Sequence, residues 1–378
     1  MIPALLTILL CVLTLSYFFI LIFLIRGLAY LPEGNNLSCP FVSVVVAARN
    51  EESNIGACLE ALSAQDYPKD SYEIIAVNDR SEDRTDEIID RYAMKISGIS
   101  AIHIKNKSAD MAPKKWALHQ GIQKARGEII LTTDADCVPS PQWVSSMIRY
   151  FEPGVGLVAG YSPLTGRTSG SLFEKLVALD GLALAAVAAG SIGAGMPLTC
   201  NGRNLAYRKA VYNEVGGFQS IGHYISGDDD LFLHLVKKQT DYQIRYATDT
   251  VSQVPSFPPR TIKAFFNQRT RHASKGKHYH RALKYGLIIL YFYNVLFCVG
   301  LFLMNSWPAW IACYGFKSTG EFLFLSNAAS LFRKERLLLI FPLAVFLHIP
   351  YVVFFGLWGQ IGRFTWKSDT YSPVIKSE

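Results

Sequence analysis

Two carboxylates one residue apart, Asp134 and Asp136, follow the apolar run of residues 129–133. Side chains two positions apart on a β-strand point the same way, and α/β proteins bind ligands at the carboxyl ends of their strands. Both carboxylates can therefore face one hard divalent cation, and that cation can neutralise a diphosphate. The pair predicts a metal-dependent nucleotide site, and a surface turn that contains two aspartates is the alternative.

A second acidic group consists of the three consecutive residues Asp228, Asp229 and Asp230. Adjacent carboxylates repel one another, so such a run persists mainly where it caps a helix, binds cations or supplies a base. The apolar-rich residues 231–236 predict a helix that begins immediately, so a helix cap is the alternative to a base. A base would need a pKa that is not suppressed and an open path to an acceptor hydroxyl.

Polar residues also follow the first two predicted strands. Asn50 and Glu51 follow the first strand, and Asp79 follows the second. Two neighbouring loops at one sheet edge form a crevice in which a nucleoside can sit. Asp79 could equally cap the next helix. Its position at the end of a strand parallel to the one before Asp134 favours a ligand contact.

The elements that must position these residues lie between residues 40 and 275. Short β-rich runs alternate there with helical patterns, which is typical of a mostly parallel sheet with helices on both faces. No internal repeat or low-complexity linker interrupts the stretch, so it is predicted to be one α/β domain. The predicted strands are residues 41–48, 72–77, 99–104 and 128–133, and the predicted helices are residues 54–65, 82–94, 114–124 and 142–150.

Membrane segments are expected on both sides of this domain. The chain of 378 residues is 50% hydrophobic and only 18% charged, which is too apolar for an ordinary soluble protein. Residues 2–25 carry no charge and would span about 36 Å as a helix. Residues 1–28 are predicted to be a transmembrane signal anchor with Arg26 on the cytosolic side, and a cleaved signal peptide is the alternative.

A C-terminal membrane region is predicted over residues 283–361. Its apolar stretches are residues 285–304, 307–332 and 337–360. The middle stretch contains Lys317 and Glu321, so it could span the membrane, re-enter or lie at the interface. Another apolar stretch, residues 176–198, contains Asp180 and several glycines. It is predicted to be a packed helix within the soluble domain, with contact at the membrane interface as the alternative.

Composition also limits the partners. The seven cysteines form no C-x-x-C pair, which predicts buried thiols in a reducing compartment. The net charge of +7 is spread along the chain and fits attraction to anionic lipid. No nucleic-acid-binding motif occurs, so no nucleic acid partner is expected.

Eight motifs follow one another in a fixed order. They are residues 48–52 (ARNEE), 78–85 (NDRSEDRT), Lys114 with Ala117 and Leu118, 134–136 (DAD), 202–208 (GRNLAYR), 215–218 (VGGF), 228–231 (DDDL) and 268–272 (QRTRH). This series resembles the membrane-bound family 2 glycosyltransferases over residues 40–275, and the set is far more specific than any single motif.

The resemblance implies a GT-A fold and an inverting single displacement. Asp79 would contact the nucleoside base, with Asn50 and Glu51 shaping that pocket, and Lys114 would approach the diphosphate. Asp134 and Asp136 would bind the ribose and the Mg²⁺ or Mn²⁺, which offsets charge on the leaving nucleoside diphosphate. Asp228 would remove the acceptor proton, and Asp229 is the alternative because the register of the three aspartates is open.

The resemblance also assigns an acceptor side. Residues 202–208 and 216–218 would line it, with Gly202, Arg203 and Asn204 among them, and a strand with a tight turn is the alternative for both stretches. Gln268 and Arg271 match a Gln-x-x-Arg-Trp pattern that holds pyrophosphate and acceptor.

Four positions depart from the family pattern, and one of them is His119, which stands where Asn is common. Position 272 is His rather than Trp, which removes an indole platform and argues against processive synthesis. Asn78 stands where a second Asp is frequent, and Arg80 stands where Gly is usual, so the motif does not define the base. His272, His278 and His280 are expected on a solvated juxtamembrane surface rather than around a metal.

The sequence as a whole predicts an integral protein of the cytoplasmic membrane with its catalytic domain in the cytosol. It would be an inverting glycosyltransferase that moves a sugar from a nucleotide-diphosphate sugar to a lipid-linked or saccharide acceptor. A processive polysaccharide synthase and a catalytically silent membrane scaffold are the alternatives.

Overall fold

The computed structural model describes residues 2–166, 170–303, 306–366 and 369–371. Within these ranges, one sheet contains seven strands. They are β1 (Val42–Ala48), β2 (Tyr72–Asp79), β3 (Ile99–Ile104), β4 (Ile129–Asp134), β5 (Val155–Gly160), β6 (Leu205–Arg208) and β7 (Gln243–Ala247). The spatial order is β3-β2-β1-β4-β6-β5-β7. Only β6 runs antiparallel to its neighbours, β4 and β5, so the predicted mostly parallel sheet is confirmed.

Helices precede, cover and follow this sheet. They are α1 (Ile2–Ala29), α2 (Ile55–Ser63), α3 (Thr85–Lys95), α4 (Pro113–Lys124), α5 (Trp143–Ile148), α6 (Leu172–Gly193), α7 (Lys209–Glu214), α8 (Asp230–Gln239), α9 (Ile262–Ser274), α10 (Arg281–Leu303), α11 (Trp307–Phe332) and α12 (Phe341–Ile361). A short antiparallel pair, β8 (Phe364–Trp366) and β9 (Asp369–Tyr371), follows α12.

Side chains of β1 alternate between two hydrophobic cores, one on each face of the sheet. Val45 packs in the core that contains α4, α6 and α8. Val44 and Val46 pack in the core that contains α2, α3 and α5. Strands that are buried on both faces have nearly continuous apolar sequences, which explains the consecutive valines at residues 44–46 of β1. Helices therefore cover both faces, as predicted.

Strand register brings the polar loops to one edge of the sheet. Ala48 of β1 lies beside Asn78 of β2, and Ala47 lies beside Asp134 of β4. The loops after β1, β2 and β4 therefore leave the sheet side by side. This edge is where the predicted ligand site has to form.

In the part of the chain that the structure describes, four helical segments are long and apolar enough to cross a membrane: residues 3–29, 172–193, 281–303 and 335–361. This set suggests a membrane protein, but it differs from the predicted one, since it includes α6 and omits α11. In α11 the ammonium of Lys317 contacts Glu321 at 2.6 Å. Tyr17 of α1 donates its hydroxyl proton to the same carboxylate oxygen at 2.9 Å, so the charged pair is enclosed between α11 and α1.

The helix α6 is half-buried between the sheet domain and α1. Glycines allow the two backbones to touch: a Cβ on Gly27 of α1 would lie 1.9 Å from the carbonyl oxygen of Gly190. A Cβ on Gly193 would lie 2.0 Å from the carbonyl oxygen of Gly27. The packed helix predicted for residues 176–198 is thus present, and it also forms the contact between the sheet domain and the N-terminal helix.

Candidate active site

A cleft with a volume of about 410 Å³ opens at the carboxyl edge of the sheet, within the usual range for small-molecule sites. Two predicted site residues, Asn50 and Asn204, do not line it. The predicted site residues that do line it are Glu51, Asp79, Lys114, Asp134, Asp136, Gly202, Arg203, Asp228, Asp229, Gln268 and Arg271.

Lys114 joins the two acidic groups of the cleft. It lies in the first turn of α4, which begins with Pro113, a residue whose fixed φ favours a helix start. Its Nζ lies 2.8 Å from an oxygen of Asp134 and 2.8 Å from an oxygen of Asp228. Burial would lower the pKa of Lys114, but these two carboxylates outweigh it and raise that pKa. The ammonium therefore stays charged and holds β4 beside the loop before α8.

The carboxylates of Asp134 and Asp136 are oxygen donors of the kind that Mg²⁺ and Mn²⁺ prefer. Asp134 ends β4, and Asp136 lies in the turn closed by a hydrogen bond from the Cys137 N–H to the Asp134 carbonyl at 3.1 Å. Within the described ranges, no group of three or more His, Cys, Asp or Glu side chains could hold a metal. The donor set fits a dication that takes its remaining ligands from substrate phosphates and water.

The three consecutive aspartates make different contacts. Asp229 is the N-cap of α8, where one oxygen accepts the N–H of Asp230 and the other accepts the N–H of Gly202 at 3.2 Å. Burial opposes ionisation of Asp229, but Lys275 and Lys114 prevail and lower its pKa. Asp230 accepts hydrogen bonds from Lys275, at 2.9 Å, and from the Tyr279 hydroxyl. Burial raises the pKa of Asp230.

Two further lysines hold this acidic loop in place. Lys275 follows α9 and lies between the carboxylates of Asp229 and Asp230. Lys115 of α4 donates hydrogen bonds to the backbone carbonyl oxygens of Tyr224 and of Ser226, the latter at 2.8 Å. Burial lowers the pKa of Lys115 to about 8. Neither lysine was predicted as a site residue, because the sequence gives no spacing that relates them to residues 228–230.

At the nucleoside end of the cleft, the loops after β1 and β2 are cross-linked by hydrogen bonds. The Asn50 N–H donates to the Ser81 hydroxyl at 3.0 Å, and the Glu82 N–H donates to the Asn50 side-chain oxygen at 2.9 Å. Asn50 therefore shapes the loops from outside the main cleft. Asp79 ends β2 and carries an ion pair with Arg80 at 2.7 Å.

Two groups of residues that were predicted for the acceptor side lie away from the cleft. Asn204 is fully buried, and its side-chain amide donates to the carbonyl oxygens of Tyr161 and Ser252 while its oxygen accepts the indole N–H of Trp143. Both N–H groups of this buried amide are therefore donated to the core and do not reach the cleft. Of residues 216–218, none lines the cleft, and Phe218 packs in the buried aromatic cluster around Phe232.

His272 also departs from the prediction of a solvated surface. It lines the cleft beside Arg271. Burial, together with the neighbouring cations Lys275, Arg271 and Arg269, holds the pKa of His272 well below its usual value. His280 is exposed as expected. The difference arises because α9 turns this face of the segment toward the aspartates.

One wall of the cleft is apolar and comes from α6. It is formed by Gly181, Leu184, Ala185 and Ala188. Asp180 on the same helix pairs with Arg269 of α9 at 2.6 Å. The polar end of the cleft therefore adjoins this apolar wall of α6, and α6 also contacts α1.

A mostly parallel sheet with an aspartate pair after β4 and an acidic loop before α8 defines a GT-A-type fold. The chain belongs to glycosyltransferase family 2, and the protein is a glycosyltransferase. The family model "Glycosyl transferase family group 2" matches residues 129–357, and the model "Glycosyl transferase family 2" matches residues 43–173.

Similar sequences agree with this assignment, and a solved structure shares the fold. "Glycosyltransferase AglE" of Haloferax volcanii is 29% identical over 58% of this chain and 68% of its own length. "Probable glycosyltransferase YdaM" of Bacillus subtilis is 26% identical over 72% of this chain and 66% of its own length. A mannosyltransferase from Pyrobaculum calidifontis, solved with GDP-Man and Mn²⁺, aligns over 95% of both chains with a TM-score of 0.56 and 19% identity, which shows a shared fold.

Proposed function

We propose that this protein is a membrane-anchored, inverting glycosyltransferase that transfers a sugar from a nucleotide-diphosphate sugar to a lipid-linked or saccharide acceptor at the cytoplasmic face of the membrane. One observation carries the proposal. The ammonium of Lys114 lies 2.8 Å from carboxylates of both Asp134 and Asp228, so a donor diphosphate at the first would place its sugar beside the second.

The donor end of the cleft combines acids with cations. Asp134 and Asp136 would hold Mg²⁺ or Mn²⁺, which neutralises charge on the leaving diphosphate when it is bound. Lys114, Arg203 and Arg271 line the same cleft and supply N–H donors for phosphate oxygens. The GDP-Man and Mn²⁺ in the structural neighbour support a donor and a cation of this kind.

Asp228 is the better candidate for the base. Both oxygens of Asp229 accept hydrogen bonds from backbone N–H groups, and the pKa of Asp229 is lowered, so Asp229 is a weak base. Asp230 is enclosed by Lys275 and Tyr279. Asp228 lines the cleft, and one of its oxygens pairs with Lys114. It would take the proton from the acceptor hydroxyl as that oxygen attacks the anomeric carbon.

The acceptor would approach along the apolar wall of α6. This wall lies in the same cleft as the aspartates, and α6 also packs on α1. An acceptor with a lipid portion could therefore keep that portion near the bilayer. Arg26 in the last turn of α1 favours a cytosolic position for the following domain. Position 272 is histidine, which favours single transfers over processive synthesis.

The test is nucleoside diphosphate release by the full-length protein in detergent, with a panel of nucleotide sugars and Mn²⁺. We expect release with at least one donor, and loss of release on chelation by EDTA. Asp134→Asn should abolish release, whereas Asp241→Asn, a change at an exposed aspartate, should leave it intact. Absence of release with every donor, with and without lipid acceptors, would contradict the proposal and favour a scaffold.

A further inference from the structure

The connection between α9 and α10 carries basic side chains beside an exposed apolar face. Residues 250–320 contain nine lysines and arginines and no aspartate or glutamate. Four basic residues of this stretch form what we call the junction surface: Lys277, His278, Arg281 and Lys284. We propose that the junction surface binds the head groups of anionic phospholipids in the cytoplasmic leaflet. The inference rests on the proposed function, because it takes α10 and α12 to cross the membrane.

The ends of two helices determine where the junction surface lies. α10 begins at Arg281 and α12 ends at Ile361. Lys277 Nζ donates a hydrogen bond to the carbonyl oxygen of Gln360 in the last turn of α12 at 2.8 Å. The side-chain amide of Gln360 donates in turn to the carbonyl oxygen of Ala273 in α9 at 3.1 Å. Since α10 and α12 are both within segments that are apolar and long enough to cross a membrane, the junction surface lies at the level of the lipid head groups.

The charges around the junction surface are of one sign. The pKa of His278 is lowered by burial and by four basic neighbours. These neighbours are His223, Lys277, Lys284 and Lys115. Among the described residues, the side chains of Arg281 and Lys284 form no ion pair with an acid. A phosphodiester anion would therefore meet several cations whose charge the protein does not neutralise.

The same face of α10 continues as an exposed apolar stripe. Positions three or four apart on a helix share a face, so Arg281 and Lys284 lie in line with Tyr285, Ile288 and Phe292. These last three residues are 62%, 43% and 60% exposed. A phospholipid combines an anionic head group with acyl chains, and it therefore matches cations that are followed by apolar side chains along one helix. A free phosphate ion or a soluble acidic protein would leave the apolar stripe uncovered.

The segment that carries the junction surface also holds the acidic loop before α8. Lys275 Nζ lies 2.9 Å from a carboxylate oxygen of Asp230, and the Tyr279 hydroxyl donates to the same oxygen. The ring of His278 lies 4.0 Å from the ring of Tyr224, measured between centroids. Head groups bound at the junction surface would therefore lie next to the segment that keeps the acidic loop in place.

Electron paramagnetic resonance of spin-labelled lipids tests the inference. The purified full-length protein is reconstituted in phosphatidylcholine vesicles. The motionally restricted fraction of the label is then compared for phosphatidylglycerol and phosphatidylcholine probes. We expect the phosphatidylglycerol probe to associate at least about threefold more strongly at low salt, because each cation near the surface attracts anionic lipid. This selectivity should decline as added salt screens the charges.

Two double variants with the same loss of charge locate the lipid contact. Arg281→Gln combined with Lys284→Gln should remove most of the selectivity for phosphatidylglycerol. Lys237→Gln combined with Lys238→Gln removes two charges from exposed positions of α8 and should retain the selectivity. An unchanged number of restricted phosphatidylcholine probes per protein shows that the helices of the first variant still lie packed in the bilayer.

The outcomes separate this inference from the proposed function. Equal association of the two probes with the unaltered protein would overturn it. Selectivity that survives in the α10 variant, or that is lost in the α8 variant, would overturn it as well. If inorganic phosphate abolished the selectivity and chloride of the same ionic strength did not, a free anion would be the ligand instead of a lipid. If neither probe were restricted, the protein would not lie in the bilayer, and the membrane anchoring of the proposed function would also be refuted.

Discussion

At the scale of single residues, the acidic run before α8 divides its work among three identical side chains. Asp229 caps the helix, Asp230 is enclosed by Lys275 and Tyr279, and Asp228 contacts Lys114 in the cleft. Their chemistry is the same, so the difference lies in which backbone and side-chain groups each oxygen meets. Substitutions by asparagine, which remove charge and retain shape, can distinguish them.

We expect Asp228→Asn to lower kcat by about 10²–10⁴-fold, because the acceptor hydroxyl loses its base. Affinity for the nucleoside diphosphate should change little. Asp229→Asn should instead lower the melting temperature, since it weakens the cap of α8 and the hydrogen bond from Gly202. Steady-state kinetics, calorimetry and thermal melting measure these effects. If Asp228→Asn retained full activity, and Asp229→Asn were inactive with an unchanged melting temperature, Asp229 would be the base instead of Asp228.

Lys115 predicts a pH dependence of stability. Its pKa is about 8 in the folded protein, against the ordinary lysine value of 10.5, so the unfolded chain binds more protons between these pH values. Stability must then rise with pH across this window and fall as pH drops through 8. Relative to Lys115→Met, the unaltered protein should gain about 3 kcal/mol in free energy of unfolding between pH 8 and pH 10.5.

Melting temperatures in detergent at several pH values measure this difference. Lys237→Met, a change at an exposed lysine of α8, serves as the control and should show no such gain. If the difference in melting temperature between the unaltered protein and Lys115→Met did not change with pH, the pKa of Lys115 would not be lowered in the folded protein.

Sequence reasoning predicted which acids come together in the cleft better than it predicted which residues contact them. Asp79, Asp134 and Asp228 were predictable because strand ends and a helix start can be read from local apolar patterns. The contacts of Lys275 and the position of His272 were not, because they depend on how α9 packs against the loop before α8. Asn204 was assigned to the site because an alignment of motifs does not report burial.

At the scale of elements, α6 connects the catalytic cleft to α1. One side of it lines the cleft, and another side meets α1 at Gly27, Gly190 and Gly193. Its composition alone suited a core helix or a membrane helix equally well. Only the tertiary contacts show how it packs. The first four strands of the sheet, by contrast, were predicted to within a few residues, because β-branched runs between turn residues have few other uses.

Gly27→Ala tests the close contact between α1 and α6. The added methyl group would lie 1.9 Å from the carbonyl oxygen of Gly190, so the helices must separate, at a cost of about 1–3 kcal/mol. We expect a lower melting temperature and slower transfer to a lipid acceptor. Gly286→Ala in α10 is the matched control, because nothing lies within 4 Å of the added atom. Equal behaviour of the two variants would mean that the crossing is not tight.

At the scale of the whole molecule, the proposed arrangement requires the sheet domain to lie in the cytosol. Cys39 lies between α1 and β1 and is exposed, so it reports the side of the membrane. A membrane-impermeant maleimide should label it in inverted vesicles and not in intact cells. Cys39→Ser should remove that label and identify its source. Labelling of Cys39 in intact cells would place the domain outside.

The hydrogen bond from Tyr17 to Glu321 joins residues that are 304 positions apart in the chain. Ribosomal synthesis proceeds from the amino end, so α1 is made long before its polar partner exists. The sheet domain between them is complete by then, and domains generally fold in order of synthesis. If α1 and the C-terminal helices lie in the membrane as proposed, their bundle is the last part of the protein to close, and ribosomes that stop early would leave an already folded sheet domain on a single, incompletely packed helix.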